Sequence, residues 1–284
     1  MFRSASKSLL LLLFAAMISQ LFAGGEKLRY QMAKGSTYSY TLTSDTKSKA
    51  QAMGQEFGST TASRFGISIA VEDVGKDGEL TCIAKVDTNL TSIDSPMMKD
   101  SALVMKEING KRTRLTLSPL GKTLNSMPVD TIQPSQMMAM MGNFNVADLL
   151  RRLLLELPVQ PVGVGDTWKR TTPETLFVQG LQLIMKPDVQ YRIEGTESVG
   201  GFDCAKIAYE GTASQYGTGS RQGIDLVLDG TIKTKGVAYF APKEGVLVSI
   251  ESTTENDMTV SGTGEQMFTQ TQSVSSNSKM VLEK

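Results

Sequence analysis

The chain has 284 residues, and its 29 Lys and Arg balance 29 Asp and Glu, so the formal net charge at neutral pH is zero. A balanced chain offers no electrostatic basis for binding nucleic acid or anionic lipid, so no nucleic-acid partner is expected. The sequence contains no histidine. This excludes His-dependent catalytic triads and dyads, and also the common zinc and iron sites.

Residues 1–23 have the features of an export signal peptide. Arg3 and Lys7 form the positive start, an apolar run begins at Leu9, and Ala23 ends the segment on a small residue. A membrane anchor is the weaker alternative, because the run is only about 16 residues long and contains polar residues. No later segment is apolar enough to span a bilayer. We therefore expect an exported protein, periplasmic or extracellular in a bacterium.

Four short landmarks occur twice in the same order. The first set comprises Gly35-Ser36-Thr37-Tyr38, Gly78-Glu79-Leu80-Thr81-Cys82, Asn109-Gly110 and Ser118-Pro119-Leu120-Gly121. The second set comprises Gly165-Asp166-Thr167-Trp168, Gly201-Phe202-Asp203-Cys204, Asp229-Gly230 and Ala241-Pro242-Lys243-Glu244-Gly245. A duplicated structural unit explains this pattern. It divides the mature chain into a first β repeat (24–130), a Met- and Leu-rich helical connector (131–158) and a second β repeat with C-terminal strands (159–284).

Strand patterns dominate both repeats. Apolar and polar residues alternate from Tyr38 to Leu42 and from Phe65 to Val71, which is typical of half-buried antiparallel strands. Asn109-Gly110 and Asp229-Gly230 each lie between two strand patterns. Because such dipeptides provide the positive φ angles of tight turns, we predict a β-hairpin at each.

One amphipathic helix is predicted in the connector, from Asn145 to Leu157. Asn145 is a suitable N-cap residue and Pro158 stops the pattern. The leucines between them recur at the spacing of one helical face, at 149, 150, 153, 154 and 157. The predicted fold is therefore mainly β, with two similar antiparallel curved-sheet halves and this helix packed on a concave face.

The segment before this helix is rich in methionine, a flexible and polarisable residue that lines adaptable apolar surfaces. Together with two helix leucines, these methionines are our candidate apolar ligand-lining residues: Met137, Met138, Met140, Met141, Leu150 and Leu154. The alternative is that the helix fills the concave face as ordinary core.

The two cysteines, Cys82 and Cys204, occupy matching places in the two repeats. An oxidising compartment permits a disulfide between them, and a bond closing so long a loop contributes about 4 kcal/mol. The alternative is two buried free thiols, because cysteine packs as a small apolar residue. The sequence leaves both possibilities open.

The motifs that suggest chemistry fit ordinary structure better. The segment 163–168 resembles a phosphate loop but lacks the third glycine and the Gly-Lys-Ser/Thr ending. Ser44 and Lys47 have Ser-x-x-Lys spacing but do not begin an apolar helix. We therefore assign no catalytic, cofactor-binding or metal-binding residue and expect no cofactor.

Three short motifs carry a family resemblance: Lys34-Gly35-x-x-Tyr38, Val74-x-x-Asp77-Gly78 and Pro158-x-x-Pro161-Val162-x-x-Gly165-Asp166-x-Trp168. With them, most of the mature chain resembles an uncharacterised family of exported bacterial β-rich proteins. That family has no known activity or site residues to carry over. A more distant fold analogy is with periplasmic lipoprotein-carrier proteins, in which a curved antiparallel sheet wraps a helix around an acyl-binding cavity.

The leading hypothesis is a non-enzymatic protein of the bacterial envelope that binds an apolar ligand (lipid, acyl chain or lipoprotein) or a partner protein. The export signal, the lack of catalytic constellations and the Met- and Leu-rich segment motivate it. One alternative is a structural or assembly protein that pairs through edge strands of the Ser/Thr-rich tail 253–277. Another is a His-free hydrolase using carboxylates or a Ser–Lys pair, and a cleft holding two carboxylates would favour its glycosidase version. The oligomeric state stays open.

Overall fold

A computed structural model describes residues 25–52, 54–96, 98–132, 149–150, 154–178, 181–221, 224–263 and 267–283. The predicted signal peptide, 1–23, lies outside them. The strands are β1 (Thr37–Ala52), β2 (Gln55–Val74), β3 (Leu80–Ser95), β4 (Met98–Leu103), β5 (Arg112–Leu117), β6 (Thr123–Pro128), β7 (Thr167–Arg170), β8 (Glu174–Val178), β9 (Leu181–Val199), β10 (Phe202–Arg221), β11 (Ile224–Ala241), β12 (Val246–Thr263) and β13 (Phe268–Leu282).

All thirteen strands belong to one antiparallel sheet. Its order is β6-β5-β3-β2-β1-β13-β12-β11-β10-β9-β7, while β4 pairs with β3 and β8 pairs with β9. The predicted fold of two curved-sheet halves is therefore wrong. The physical reason is β13, the C-terminal strand, which forms backbone ladders with β1 on one side and β12 on the other. These ladders join everything into a single sheet.

The helix predicted over 145–157 is also wrong as a packed element. No helix is among the elements of the described residues, and within them only Leu149 and Leu150 have helical backbone geometry. Residues 145–148 and 151–153 of the predicted helix lie outside the described part of the chain. The mainly β assignment itself is confirmed.

Backbone hydrogen bonds explain why the leucine pattern does not continue as a helix. The amide of Leu155 donates to the hydroxyl of Tyr30 at 3.1 Å. The amide of Leu157 donates to the carbonyl of Leu120 at 2.9 Å. In a helix both amides would bind carbonyls four residues earlier. The amide of Leu154 still donates to the carbonyl of Leu150 at 2.8 Å, as in a helix. From Leu155 onward the partners belong to other segments, so this stretch is held at the core end of the sheet and does not continue as a helix.

The two predicted hairpins are wrong for different reasons. Asn109-Gly110 does form a turn, with Gly110 at φ 75°, but the strands beside it, β4 and β5, each pair with β3 and not with each other. Asp229-Gly230 lies inside the continuous strand β11. A Cβ atom at Gly230 would lie 2.7 Å from the backbone carbonyl oxygen of Asp257 on the neighbouring strand β12. Glycine is required at this position because the neighbouring strand packs closely against it, not because the chain turns there.

The core occupies one end of the inner face of the sheet. Inward residues at this end are apolar along every long strand, as at Tyr40 and Ile67, which are buried. The segment before β1 crosses this end and buries Leu28, Tyr30 and Met32 completely or nearly so. The ring of Tyr30 meets that of Phe240 edge-on, with centroids 5.2 Å apart. The N-terminal segment therefore closes one end of the curved sheet.

Candidate functional site

Beyond the core, the inner face of the sheet encloses a cavity of about 610 Å³. Ligand pockets typically have about 300–1,000 Å³. Phe65 of β2 and Leu176 of β8 both line it, although they stand on strands that are seven ladder steps apart. Seven steps in a flat sheet would span roughly 34 Å. The sheet must therefore curl strongly, and the cavity is the space inside the curl.

One wall of the cavity is apolar. It comes mainly from β8 and β9, where inward positions recur at every second residue. The apolar lining residues are Leu42, Phe65, Leu149, Leu176, Leu183, Met185, Pro187, Val189, Ala213, Ile232 and Val274. This wall continues directly into the core, since Leu42, Phe65 and Val189 are also core residues.

The other wall is uncharged but polar. Its residues come mainly from the central strands and are Ser44, Thr46, Ser63, Gln215, Thr234, Ser252, Thr254, Asn256, Ser276 and Ser278. The side chains on β1 and β13 contact one another across the ladder. The Oγ of Ser44 lies 3.0 Å from that of Ser276 and 3.0 Å from that of Ser278. On the neighbouring strands, the amide of Gln215 donates to the side-chain oxygen of Asn256 at 2.6 Å.

The charged groups in the described lining are Arg170 and Glu174, and they form an ion pair with each other. The Nε of Arg170 also lies 3.2 Å from the carboxylate of Glu156. Burial alone lowers the pKa of Arg170, but the negative charges of Glu174 and Glu156 outweigh it, so the net shift of this pKa is upward. The guanidinium is held by two carboxylates and presents little positive potential to the cavity.

Other depressions of 500 to 670 Å³ occur on the protein. They lie on the outer face of the sheet, where charged side chains such as Lys169, Asp188 and Glu251 line them. The inner cavity is distinguished by its continuity with the core and by its apolar wall. It is therefore the candidate site.

The predicted ligand-lining residues are distributed as follows. Met137, Met138, Met140 and Met141 lie outside the described residues. Leu150 is buried in the core, and Leu154 packs against that core half-buried. Their neighbour Leu149 lines the cavity. Among its described residues, the connector thus touches the cavity through Leu149, which the prediction placed on the helix but did not assign to the site.

The polar wall was missed by the sequence reasoning. Its sequence signal is Ser or Thr at every second position, as in Ser44, Thr46 and Ser48 of β1 and Ser276 and Ser278 of β13. The sequence prediction assigns these residues to no site: it places Ser44 in a rejected Ser-x-x-Lys motif and Ser276 in a tail of candidate edge strands. In the structure these positions face inward, because they continue the same alternation as the buried Tyr40, Leu42 and Met280.

The two cysteines are separate free thiols. Cys82 lies on β3 and Cys204 on β10, on opposite sides of the central strands in the sheet order. Both side chains are fully buried. Burial raises the pKa of Cys82 to about 12 and that of Cys204 to about 11.

The described part of the chain contains no helix long and apolar enough to cross a membrane. It also contains no cluster of three or more Cys, Asp or Glu side chains arranged to hold a metal ion.

Comparison with solved structures shows a likeness of fold. No protein-family model matches the chain, and no curated protein matches it significantly. The fold resembles part of lipovitellin, in a structure that concerns lipid–protein interactions, with a TM-score of 0.50 and 13% sequence identity. The match covers 89% of this chain and 25% of the lipovitellin chain. At this identity the likeness concerns the fold alone, and the chain spans about a quarter of that neighbour's length.

Proposed function

We propose that this protein is a non-enzymatic binding protein of the bacterial envelope, and that it holds a lipid-like ligand in the cavity inside its curved sheet. The observation that carries the proposal is the cavity of about 610 Å³ with one continuous apolar wall. Removing apolar surface from water contributes about 25 cal/mol per Å², so an acyl chain laid along that wall gains a substantial driving force.

Two further observations support this assignment. The fold is similar to part of lipovitellin, whose structure concerns lipid–protein interactions. The N-terminal 23 residues read as an export signal, which would place the protein where envelope lipids are handled.

The alternative of assembly through edge strands loses its original motivation. The Ser/Thr-rich tail that suggested it forms most of β12 and β13. Both strands are paired on both sides, within the centre of the sheet. Their backbone groups are already used, so this tail offers no free edge to a partner.

The hydrolase alternative finds little support in the cavity. Its glycosidase version requires two carboxylates facing one space. The described lining supplies one, Glu174, and that carboxylate is engaged by Arg170.

The proposal is tested by filling the cavity. Ala213 faces the cavity, whereas Thr212, the preceding residue of β10, is exposed on the outer face. We expect wild type to bind the neutral fluorescent probe Nile red saturably at one site. We expect Ala213→Phe to weaken this binding at least about tenfold, because the new ring occupies the ligand's space.

The matched control is Thr212→Phe, which adds the same ring to the opposite face and should leave binding unchanged. Thermal unfolding of both variants verifies that each is folded. Equal loss of binding in both variants, or no saturable binding by wild type, would contradict the proposal.

A further inference from the structure

The polar wall of the cavity is organised as two rows of hydroxyl groups that run across neighbouring strands. In the ladder register, Ser63 faces Ser44, Ser44 faces Ser278, and Ser278 faces Ser252. Two residues further along, Thr46 faces Ser276, Ser276 faces Thr254, and Thr254 faces Thr234. All eight residues line the cavity. We call these two sets the hydroxyl rows.

The hydroxyl rows retain hydrogen-bonding capacity. A hydroxyl can donate one hydrogen bond and accept two. Thr46 lies 3.1 Å from Ser276 and shares a hydrogen bond with it. The hydroxyls of Thr234 and Thr254 have no side-chain hydrogen bond among the described residues. Both residues are half-buried, so their hydroxyls are accessible to a ligand that brings polar groups of its own, and an apolar group placed over them would remove them from water without a partner.

The charges around the cavity disfavour an anionic ligand. Arg170 is the one cation in the described lining; it donates a hydrogen bond to Glu174, and the Glu156 carboxylate lies 3.2 Å from its buried Nε, which makes no hydrogen bond among the described residues. Two carboxylates beside one guanidinium leave this group of side chains with a net negative charge. A carboxylate or phosphate entering this space would lose its hydration without gaining a free cationic partner, which is costly. The hydroxyl rows provide neutral donors and acceptors only.

We propose that the cavity selects a neutral amphiphile: an acyl chain that packs on the β8–β9 wall, joined to an uncharged headgroup whose hydroxyls bind the hydroxyl rows. A monoacylglycerol and a glycolipid share this chemistry. The inference rests on the proposed function and adds the class of ligand to it. A fatty-acid anion lacks the neutral headgroup, and an alkane leaves the rows without partners.

The test is competition against bound Nile red by three ligands of equal chain length: 1-monodecanoylglycerol, decanoate and decane. We expect monodecanoylglycerol to bind at least about tenfold more tightly than either of the others, since a few neutral hydrogen bonds are worth that much. If decanoate binds as tightly as monodecanoylglycerol and Ala213→Phe blocks the binding of both, the inference is overturned and the proposed function stands. Failure of all three ligands to displace the probe would overturn both.

Two sets of variants test the role of the rows themselves. Thr234→Val with Thr254→Val removes two hydroxyls at nearly constant volume. This pair should weaken monodecanoylglycerol about tenfold and leave decane unchanged. Thr212→Val with Thr231→Val makes the same change at exposed positions of the outer face and should alter neither affinity. Equal behaviour of the two pairs would contradict a role for the hydroxyl rows.

The second readout is a change in the preferred ligand when a positive charge is added to the cavity. Ser276→Lys places a cation within the hydroxyl rows and should make decanoate the preferred ligand. Ser275→Lys places the same cation on the exposed face of β13 and should leave the preference for monodecanoylglycerol intact. A Ser276→Lys variant that still rejects decanoate would overturn the account of selectivity by charge.

Discussion

The hydroxyl of Tyr30 is bonded twice to the backbone of Leu155: it accepts from the amide at 3.1 Å and donates to the carbonyl at 3.2 Å. Both bonds are buried. They join the segment before β1 to the last part of the connector, 125 residues away. This clasp fixes the closed end of the curved sheet, next to the cavity.

Removing that hydroxyl should destabilise the protein. Tyr30→Phe leaves both the amide and the carbonyl of Leu155 buried without their partner, which costs about 1–3 kcal/mol. Chemical denaturation measures the loss. Tyr38→Phe is the control, because the Tyr38 hydroxyl makes one long, exposed bond of 3.4 Å, and it should change stability by less than about 0.5 kcal/mol. Similar losses in the two variants would contradict the clasp.

Gly121 should tolerate no side chain, whereas another turn glycine should tolerate one with a modest loss. Both Gly121 and Gly110 have positive φ, at 84° and 75°. A Cβ at Gly121 would collide with the Leu155 carbonyl and lie 2.6 Å from the Tyr30 ring, whereas Gly110 has nothing within 4 Å. Gly110→Ala should therefore cost about 1 kcal/mol, and Gly121→Ala about 1–3 kcal/mol more. Equal unfolding midpoints would show that the clasp is not closely packed.

The thiols of Cys82 and Cys204 should be unreactive in the folded protein. Burial holds the pKa of Cys82 at about 12 and that of Cys204 at about 11, and the thiolate is the reactive form. An aromatic disulfide reagent should find no reactive thiol in native protein and two after unfolding. A disulfide between Cys82 and Cys204 detected by peptide mapping would contradict the sheet order, because β3 and β10 lie on opposite sides of the central strands.

Asp130 should titrate at unusually low pH. Hydrogen bonds from Arg112 lower its pKa from 3.8 to about 2, with Nε and Nη2 of Arg112 each 2.9 Å from the carboxylate. Because the folded pKa is the lower one, the contribution of this pair is present above the unfolded pKa and is lost as the pH falls through about 2. Carbon NMR of the Asp130 carboxyl measures this pKa directly.

Arg112→Gln should return the pKa of Asp130 towards 3.8. Added salt should raise this pKa in wild type, because an exposed pair is screened. An Asp130 carboxyl that titrates near 3.8 in wild type would mean that the pair does not form in solution.

The alternation of apolar and polar residues predicted individual strands correctly, but it did not predict how the strands pair in the sheet. The alternation at Tyr38–Leu42 and Phe65–Val71 is a property of each strand by itself, and both segments lie in strands that bury those residues. Asp229-Gly230 has the chemistry of a turn, yet Gly230 is required because the backbone carbonyl of Asp257 on the neighbouring strand approaches it. That approach depends on the register of β11 and β12, which no local signal encodes.

The site was missed for a related reason. Whether Ser44 and Ser276 face water or a cavity depends on the curl of a thirteen-stranded sheet, and their spacing is the same in both cases. The core end of the same strands was predictable, because Tyr40 and Met280 are apolar and must be buried in either arrangement.

The most direct measurement of the central claim is photo-crosslinking with a monoacylglycerol that carries a diazirine in its acyl chain, followed by peptide mass mapping. We predict adducts on the inward residues of β8 and β9, such as Leu183, Met185 and Val189, and their loss in Ala213→Phe. Adducts confined to outer-face positions such as Gln190 or Thr212, or adducts unaffected by Ala213→Phe, would contradict a ligand inside the curl of the sheet.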